Sequence, residues 1–372
     1  MNRLKVMIIF GTRPEAIKMA PVVKEFLKYP KRFKTIVCVT SQHREMLDQV
    51  LKLFNIRPDV DLNLMQENQT LDSLTSNALR ELTKTLEKVK PDLILVQGDT
   101  TTAMVGALAA FYKRIPIGHV EAGLRTKDRY NPFPEEINRR IISVLATHHF
   151  APTNSSFKEL IKEGIPKDNI FLTGNTVVDA LKLIAKRKFK SAFNLCIPVK
   201  SRLILVTAHR RENFGLPLEN ICLAIKSIVQ NNPDIEVVYP VHLNPNVKGV
   251  VYRLLSGIKR IHLIRPIDYQ TLVFLLKQSY LVLTDSGGIQ EEAPTFGKPV
   301  LVMRAETERP EGVKAGVAKL VGVDKANIIK QVQLLISDIR EYNKMSKSIS
   351  PYGDGKAAKR IVSVILKEFK KD

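Results

Sequence analysis

Short apolar runs, each broken by a polar cluster and followed by a helical pattern, recur along the chain. Val6 to Phe10 reads as a first buried strand, ending at Gly11-Thr12-Arg13-Pro14-Glu15, where a helix opens. Pro14 suits the first turn of that helix, because the N–H it lacks would have no partner there. Thr35 to Val39 is the next strand, and Gln42-His43-Arg44-Glu45 starts the next helix. Leu71 to Val89 has helical periodicity, closed off by Pro91. Leu93 to Val96 runs into Gln97-Gly98-Asp99-Thr100-Thr101-Thr102, and Ile115 to Val120 into Glu121-Ala122-Gly123-Leu124-Arg125. Two prolines stiffen Tyr130 to Glu136, and Glu135 begins a helix that continues through Arg139 and Arg140. Glu136 reads as an ordinary acidic residue at a helix start.

After Phe171-Leu172-Thr173-Gly174-Asn175 the pattern restarts. Leu203 to Ala208 leads to His209-Arg210-Arg211-Glu212-Asn213, and Ile235 to Val241 to His242-Leu243-Asn244-Pro245. Ile261 to Ile264 follows, and Tyr280 to Thr284 breaks at Asp285-Ser286-Gly287-Gly288. Alternating strands and helices predict a parallel sheet with helices on both faces. At 372 residues the chain exceeds one ordinary core. The expectation is an α/β protein of two Rossmann-like, doubly wound domains facing across a cleft. The first covers residues 1–172 and the second 173–354, with a helix at 355–372 packing back on the first. The polar, basic stretch Lys186 to Lys200 reads as a surface excursion.

Composition changes the picture only where charge is concerned. The chain carries 58 Lys and Arg against 37 Asp and Glu, a net +21. Such a balance permits contact with nucleic acid or a membrane surface. The cations are scattered, however, apart from Lys186-Arg187-Lys188 and Lys367 to Lys371, and no basic-aromatic ribbon is present. Neither partner is expected. No apolar run reaches the roughly 20 residues that span a bilayer. The opening MNRLKVMIIFGTRPE lacks a small-residue cleavage pattern and reads as a first strand, not a signal peptide. Cys38, Cys196 and Cys222 are odd in number and lack metal-ligand spacing, which fits reduced, buried thiols in the cytoplasm. No bound metal is expected: His148-His149 would point apart, and Asp59-Val60-Asp61 is a common three-residue match in a polar loop. No G-x-G-x-x-G follows a strand, which disfavours a tightly held dinucleotide.

Candidate chemistry gathers at strand ends, where ligands collect in parallel sheets. The densest stretch is Thr284 to Glu311. Its glycine turn can present backbone N–H groups to an anion. Glu291 and Glu292, one turn deeper, can accept bonds from sugar hydroxyls, and the strand from Pro299 to Met303 leads into Arg304 and Arg309. That set suits a phosphorylated sugar or nucleotide. Arg13 and Lys18 stand near the first helix start, where an anion could also sit. Asp99, Glu121 and Glu135 supply carboxylates at or just beyond strand ends of the first domain, while His209 and the Ser286 turn stand at strand ends of the second. Groups that exchange protons in opposite directions around one substrate are what acid/base catalysis needs.

The segments FGTRPEAIKMAP, QHREMLDQVL, GDTTT, GHVEAGLRT, PFPEE, TGNTVVDA, TAHRREN, YPVHLNPNV, LTDSGGIQEEAP, GKPVLVMR, ERPEGV and SPYGDG together resemble the non-hydrolysing UDP-N-acetylglucosamine 2-epimerases. The resemblance runs from residue 10 to residue 355. It implies a glycosyltransferase-B-like fold, usually dimeric, that interconverts UDP-GlcNAc and UDP-ManNAc without metal or nicotinamide cofactor. It also implies a route: UDP is eliminated across C1–C2 to give 2-acetamidoglucal, then added back after protonation on the opposite face. By motif match, Asp99, Glu121 and Glu135 are the acid/base carboxylates, and His209 lies near the leaving group. Arg13, Lys18, Ser286, Gly287, Gly288, Glu292 and Arg309 match nucleotide-sugar contacts, Glu292 taking the ribose hydroxyls. Gln42, Arg210 and His242 match a second UDP-GlcNAc site that activates bacterial members.

The chain departs from the family pattern in places. Ile267 and Leu272 stand where relatives carry Gln and Phe in the uridine-contacting stretch Arg265 to Leu272, and Glu45 and Asn68 where some carry Gln and Arg. Which carboxylate removes the proton stays open. So do two other activities of the same architecture: a hydrolysing epimerase that releases UDP and free N-acetylmannosamine, and a glycosyltransferase.

Overall fold

The strands form because their runs of branched and aromatic residues can be buried on both faces at once, as a parallel sheet covered by helices requires. Val6 to Phe10 illustrates this, with every residue at 0% exposure. The structure is a computed structural model that describes residues 3–40, 44–64, 69–187, 198, 200–347 and 350–369. It divides into two units, Met1–Leu183 with Tyr352–Asp372, and Ile184–Pro351. The second unit starts eleven residues beyond the expected 173, because helix Thr176–Ala185 belongs largely to the first unit.

In the first unit the strands are β1 (Leu4–Phe10), β2 (Phe33–Val39), β3 (Val60–Asp61), β4 (Leu93–Gln97), β5 (Ile117–Val120), β6 (His148–Ala151) and β7 (Ile170–Leu172). They form one sheet in the order β3-β2-β1-β4-β5-β6-β7, and every pairing is parallel. Met7, Ile9 and Val96 pack with Leu82, Leu86, Ala103 and Ile142 from the helices. Helix Thr101–Tyr112 lies between helices Leu71–Val89 and Glu135–Leu145 and is buried along most of its length. The final helix, Ala357–Glu368, packs on helix Arg13–Phe26 within this unit. Its entry is pinned by close backbone approach. Gly174 (φ +88°) and Gly353 (φ +138°) meet where a Cβ on Gly353 would stand 3.3 Å from the other's Cα, and Asn175 N–H donates to the Tyr352 carbonyl at 2.7 Å. Asp179 then accepts from the amides of Ala357 and Ala358 at 3.1 and 3.0 Å. The TGNTVVDA and SPYGDG segments are therefore partners in one clasp.

In the second unit β8 (Arg202–Thr207), β9 (Ile235–Pro240), β10 (Ile261–Ile264), β11 (Leu281–Thr284), β12 (Val300–Val302) and β13 (Ala318–Leu320) form a parallel sheet in the order β10-β9-β8-β11-β12-β13. Alternation along β8 sends Ile204 and Val206 to one core cluster and Leu203 and Leu205 to another, so both faces are packed. β3, β6, β7 and β13 were not legible as strands; Val60-Asp61, expected in a polar loop, pairs with Cys38 and Val39. His-His-Phe-Ala, Ile-Phe-Leu and Ala-Lys-Leu are too short to carry periodicity and are strands because a neighbour offers its edge. Asp59 and Asp61 serve the backbone, accepting from Val37 N–H at 2.8 Å and Asn63 N–H at 3.0 Å. The excursion at Lys186 to Lys200 and Cys196 fall mostly or wholly outside the described residues.

Two buried histidines lie side by side on β5 and β6. His119 Nε2 donates to the Gly98 carbonyl at 2.7 Å. Burial pushes the His119 pKa down to about 3 and that of His149 to about 4. Both stay neutral in the folded chain, whereas unfolding restores ordinary imidazoles. The folded state therefore gains nothing from protons that the unfolded state binds below pH 6.5, and stability is lost as pH falls from there. We expect His119→Gln to remove about 1.4 kcal/mol per pH unit of that acid slope between pH 5.5 and 4. Denaturant titrations across that range check this; an unchanged slope would contradict it.

Candidate active site

Each sheet reverses its strand order once, between β1 and β4 in the first unit and between β8 and β11 in the second. At such a point the two following loops turn to opposite faces and leave a crevice at the carboxyl edge. The polar clusters picked out from the sequence lie around these two places.

In the first unit Thr12 caps helix Arg13–Phe26 and Glu15 completes a capping box. Glu15 is wholly buried and does more than cap. Its Oε2 accepts from Gly11 N–H at 3.0 Å and Thr12 N–H at 2.7 Å, while Oε1 accepts from Thr100 Oγ1 at 2.6 Å. Thr100 is itself the N-cap of the helix after β4. One carboxylate thus ties the β1 loop to the β4 loop. Burial raises its pKa, and those hydrogen bonds oppose the rise.

Glu121 follows β5 at φ +64°, an unusual conformation for a side chain with a Cβ. Its carboxylate is 3% exposed and takes Lys18 Nζ at 2.7 Å on both oxygens. Gln97, the last residue of β4, and Asn175, at 3.3 Å, also donate to it. Asp99 is more open, at 26% side-chain exposure, and pairs with the buried Arg139 guanidinium. Asn138 donates to the Asp99 carbonyl at 2.9 Å. Glu135, three and four residues before these two on helix Glu135–Leu145, shares their face. Glu136, on the buried side, accepts from Thr126 N–H at 3.0 Å and from Arg139 and Arg140. Burial would raise its pKa, but those donors outweigh burial and leave it lowered. Glu136 is therefore a buried anchor that aims Arg139 at Asp99. Arg125 is also committed, to Glu163 at 2.7 and 2.5 Å.

In the second unit Asp285 occupies the place at the crevice that Glu15 holds in the first. It is 0% exposed, and its Oδ2 accepts from His209 N–H and Arg210 N–H, each at 2.8 Å, and from Asn213 Nδ2 at 3.1 Å. His209 stacks on His242, ring centroids 5.4 Å apart and 14° from parallel. Partial desolvation lowers the His209 pKa; Asp285 opposes this, and His242 and Arg210 add to it. Ser286 precedes helix Gly287–Glu292 and makes no side-chain capping bond. The Arg210 guanidinium approaches Gly287, 3.6 Å from where a Cβ would stand. Arg309 pairs with the buried Glu291, Thr307 donates to Gln290 at 2.6 Å, and Glu292 is buried beside them. Arg304 is held by Glu212 at 2.5 Å.

The family model described as UDP-N-acetylglucosamine 2-epimerase matches residues 25–366. The UDP-N-acetylglucosamine 2-epimerase of Campylobacter jejuni is 55% identical over 375 residues, covering 98% of this chain and 97% of its own. That of Escherichia coli K12 is 52% identical over 370 residues, covering 97% and 98%. This chain belongs to the UDP-N-acetylglucosamine 2-epimerase family. Among solved structures, the epimerase of Neisseria meningitidis bound to UDP-GlcNAc superposes with a TM-score of 0.90 at 50% identity, covering 98% of this chain and all of that one. The kitacinnamycin glycotransferase reaches a TM-score of 0.66 at 12% identity, a likeness of fold alone, and the fold is glycosyltransferase-B-like.

Within this epimerase fold Asp99, Glu121 and Glu135 come to the carboxyl edge of one sheet. His209, Arg210, His242, Ser286, Gly287, Gly288, Glu292 and Arg309 gather at that of the other. Arg13 is half-buried at the first turn after β1, next to the Glu15 clamp. Two expected ligand contacts are already engaged by carboxylates, Lys18 by Glu121 and Arg309 by Glu291. Glu291 therefore orients an arginine. Ile267 and Leu272 pack against the second unit's core, and Asp268 caps helix Tyr269–Gln278 through Thr271 N–H at 2.7 Å. Gln42 and Asn68 lie outside the described residues.

Sequence reasoning missed Glu15, Gln97, Arg139, Asn175 and Asp285 as members of these networks. The available signals were a carboxylate ending an apolar strand at Thr284-Asp285 and an arginine four residues after Glu135. Gly11 shows how little room the first crevice has. A Cβ there would fall 2.0 Å from Thr40 Oγ1 and 2.6 Å from Thr102 Oγ1, two hydroxyls bonded to each other at 2.9 Å. We expect Gly11→Ala to destabilise the first unit by about 1–3 kcal/mol, the range for overpacked interiors. Urea unfolding measures this, and an unmoved midpoint would contradict the packing described.

Proposed function

We propose that this chain reversibly converts UDP-GlcNAc to UDP-ManNAc without hydrolysis, supplying ManNAc-type precursors for cell-surface polysaccharide. The observation that carries the reading is that Asp99 and Glu121 stand just beyond two paired strands, each held by a cation, while Glu135 opens the helix whose Arg139 pairs with Asp99. The C2 proton has no carbonyl beside it, so direct enolisation is closed. A carboxylate on one face takes the C2 proton as the anti C1–O bond to UDP breaks, giving 2-acetamidoglucal. One carboxyl group then returns a proton to the opposite face of C2 as UDP adds back to C1. Glu121, held by Lys18, Gln97 and Asn175, is a carboxylate that cannot swing away from a sugar. Asp99, more open and paired with Arg139, is the partner with access to solvent protons.

Departure of a diphosphate needs its growing charge held in place. In this reading the second unit does that through the Ser286–Gly288 turn, Arg309 and His209, with Glu292 on the ribose. Arg13 and Lys18 complete the nucleotide-sugar contacts from the first unit. Arg210 and His242, with Gln42, form the activator site. Glu45 and Asn68 then make activation by UDP-GlcNAc weaker than in relatives with Gln and Arg there. The chain works as a homodimer, which fits the exposure of Phe111, Tyr112 and Val144 on adjacent helices of the first unit (54%, 61% and 81%). A reducing, cytoplasmic setting fits the free buried thiols of Cys38 and Cys222. Among the described residues no helix is long and apolar enough to cross a membrane.

Incubation with UDP-GlcNAc alone in deuterated water tests the reaction. NMR should show deuterium entering C2 and UDP-ManNAc accumulating with no stoichiometric free UDP. Free UDP rising with turnover would make the enzyme a hydrolysing epimerase instead. The assignment of carboxylates has its own test. Asp99→Asn should still bind UDP in calorimetry yet lose turnover by roughly 100- to 10,000-fold, the usual weight of a positioned acid or base. Near-normal turnover in that variant would remove Asp99 from the mechanism.

A further inference from the structure

We infer that Asp285 is a positioning residue that fixes the tautomer and orientation of His209, holding a proton on Nδ1 so that Nε2 is the nitrogen presented to the ligand. The geometry begins with the sheet. Thr284 and Thr207 are register partners on β11 and β8, so the next residues, Asp285 and Ala208-His209, leave the sheet side by side. Asp285 N–H donates to the Thr207 carbonyl at 3.1 Å, which fixes where the side chain starts. Oδ2 is then saturated by the amides of His209 and Arg210 and by Asn213. The loop carrying the imidazole is thus bound at two successive backbone positions to the carboxylate that faces its ring.

Oδ1 is the remaining atom. It is buried and has no hydrogen-bond partner among the described residues. It stands 3.7 Å from His209 Nδ1. At that distance the two do not share a hydrogen bond, but a small rotation of the ring closes the gap, and such bonds often tighten only when ligand is present. A buried carboxylate oxygen without a donor is costly. A proton on Nδ1 relieves that cost, and a lone pair there worsens it. The carboxylate therefore selects the Nδ1–H form of the neutral ring and stabilises the imidazolium when Nε2 is also protonated.

Among the described residues, the other charged or titratable groups that bear on the ring are Arg210 on its own loop and His242 on the loop after β9. His242 Nδ1 accepts from Asn244 N–H at 3.1 Å, so that ring carries its neutral-state proton on Nε2. Both neighbours disfavour charge on His209, which leaves Asp285 as the group among these three that supports it.

This inference rests on the reading of His209 as the imidazole beside the leaving diphosphate, and the experiment separates the two. Asp285→Asn can keep an oxygen at the three-donor position while turning an amide NH2 toward Nδ1. In the full-length protein with 15N-labelled histidine, and with His209 assigned by its loss in His209→Asn, the wild-type neutral ring should be the Nδ1–H tautomer. In Asp285→Asn it should switch to Nε2–H, and its pKa should fall by on the order of one unit. Turnover should fall by roughly 100-fold or more, with KM for UDP-GlcNAc changed less than about three-fold. In the His209→Asn background Asp285→Asn should cost no further turnover. An Nε2–H tautomer in the wild type, which needs no variant, would overturn the inference. So would an unmoved titration in Asp285→Asn, whatever happens to stability. If His209→Asn alone keeps full turnover, the catalytic reading of His209 fails, while the tautomer measurement still decides what Asp285 does.

Discussion

A buried carboxylate at the point where the strand order reverses holds each sheet's working edge together. Parallel strands present their carboxyl ends together, but at the reversal the two chains leave toward opposite faces and nothing in the ladder joins them. Glu15 and Asp285 supply the join from opposite sides. Glu15 sits after β1 and reaches the loop after β4; Asp285 sits after β11 and reaches the loop after β8. Each takes two backbone N–H groups and one side-chain donor. Hydrogen bonds to a charged acceptor contribute about 1.5–3 kcal/mol apiece, and losing the acceptor would strand all three donors. Loops that would otherwise be mobile connections become rigid mounts, which is what precise placement of reacting groups demands.

The C-terminal segment extends that mounting. It returns to the first unit, where Gly353 lies against Gly174 and Tyr352 accepts from the Asn175 backbone. Asn175 then donates its side-chain amide to Glu121. A contact 178 residues apart in sequence, from Asp179 to Ala357, therefore stands two short steps from the Glu121 carboxylate. The glycines are needed at this crossing because two backbones touch, not because the chain must flex.

Much of the architecture was legible in the sequence because fully buried parallel strands leave unmistakable apolar runs, as at Val6 to Phe10 and Leu203 to Ala208. The strand-end clusters were legible for the same reason: polar residues that abruptly end such a run stand at the sheet's edge. What was not legible came from partners far apart in the chain. Lys18 is legible only as a cation near a helix start; its pairing with Glu121, 103 residues on, is a fact of the fold. Glu136 reads as an ordinary helix start, although its burial and its three donors make it the anchor for Arg139. His148 to Ala151 is a strand only because β5 and β7 flank it. No local propensity encodes those facts.

The ion pairs bear on how an anionic ligand could be held. Lys18, Arg139, Arg304 and Arg309 each stand against a carboxylate. Such pairs contribute little to net stability once desolvation is counted. They do something else: a long cation that would otherwise sample many rotamers is fixed before any ligand arrives, so its ordering cost is met during folding and not during binding. An incoming diphosphate would then meet oriented guanidinium groups whose charge is shared and not cancelled. The same reasoning removes these residues as the source of the +21 excess, since here cations and anions are matched. The surplus positive charge therefore lies in the remaining residues.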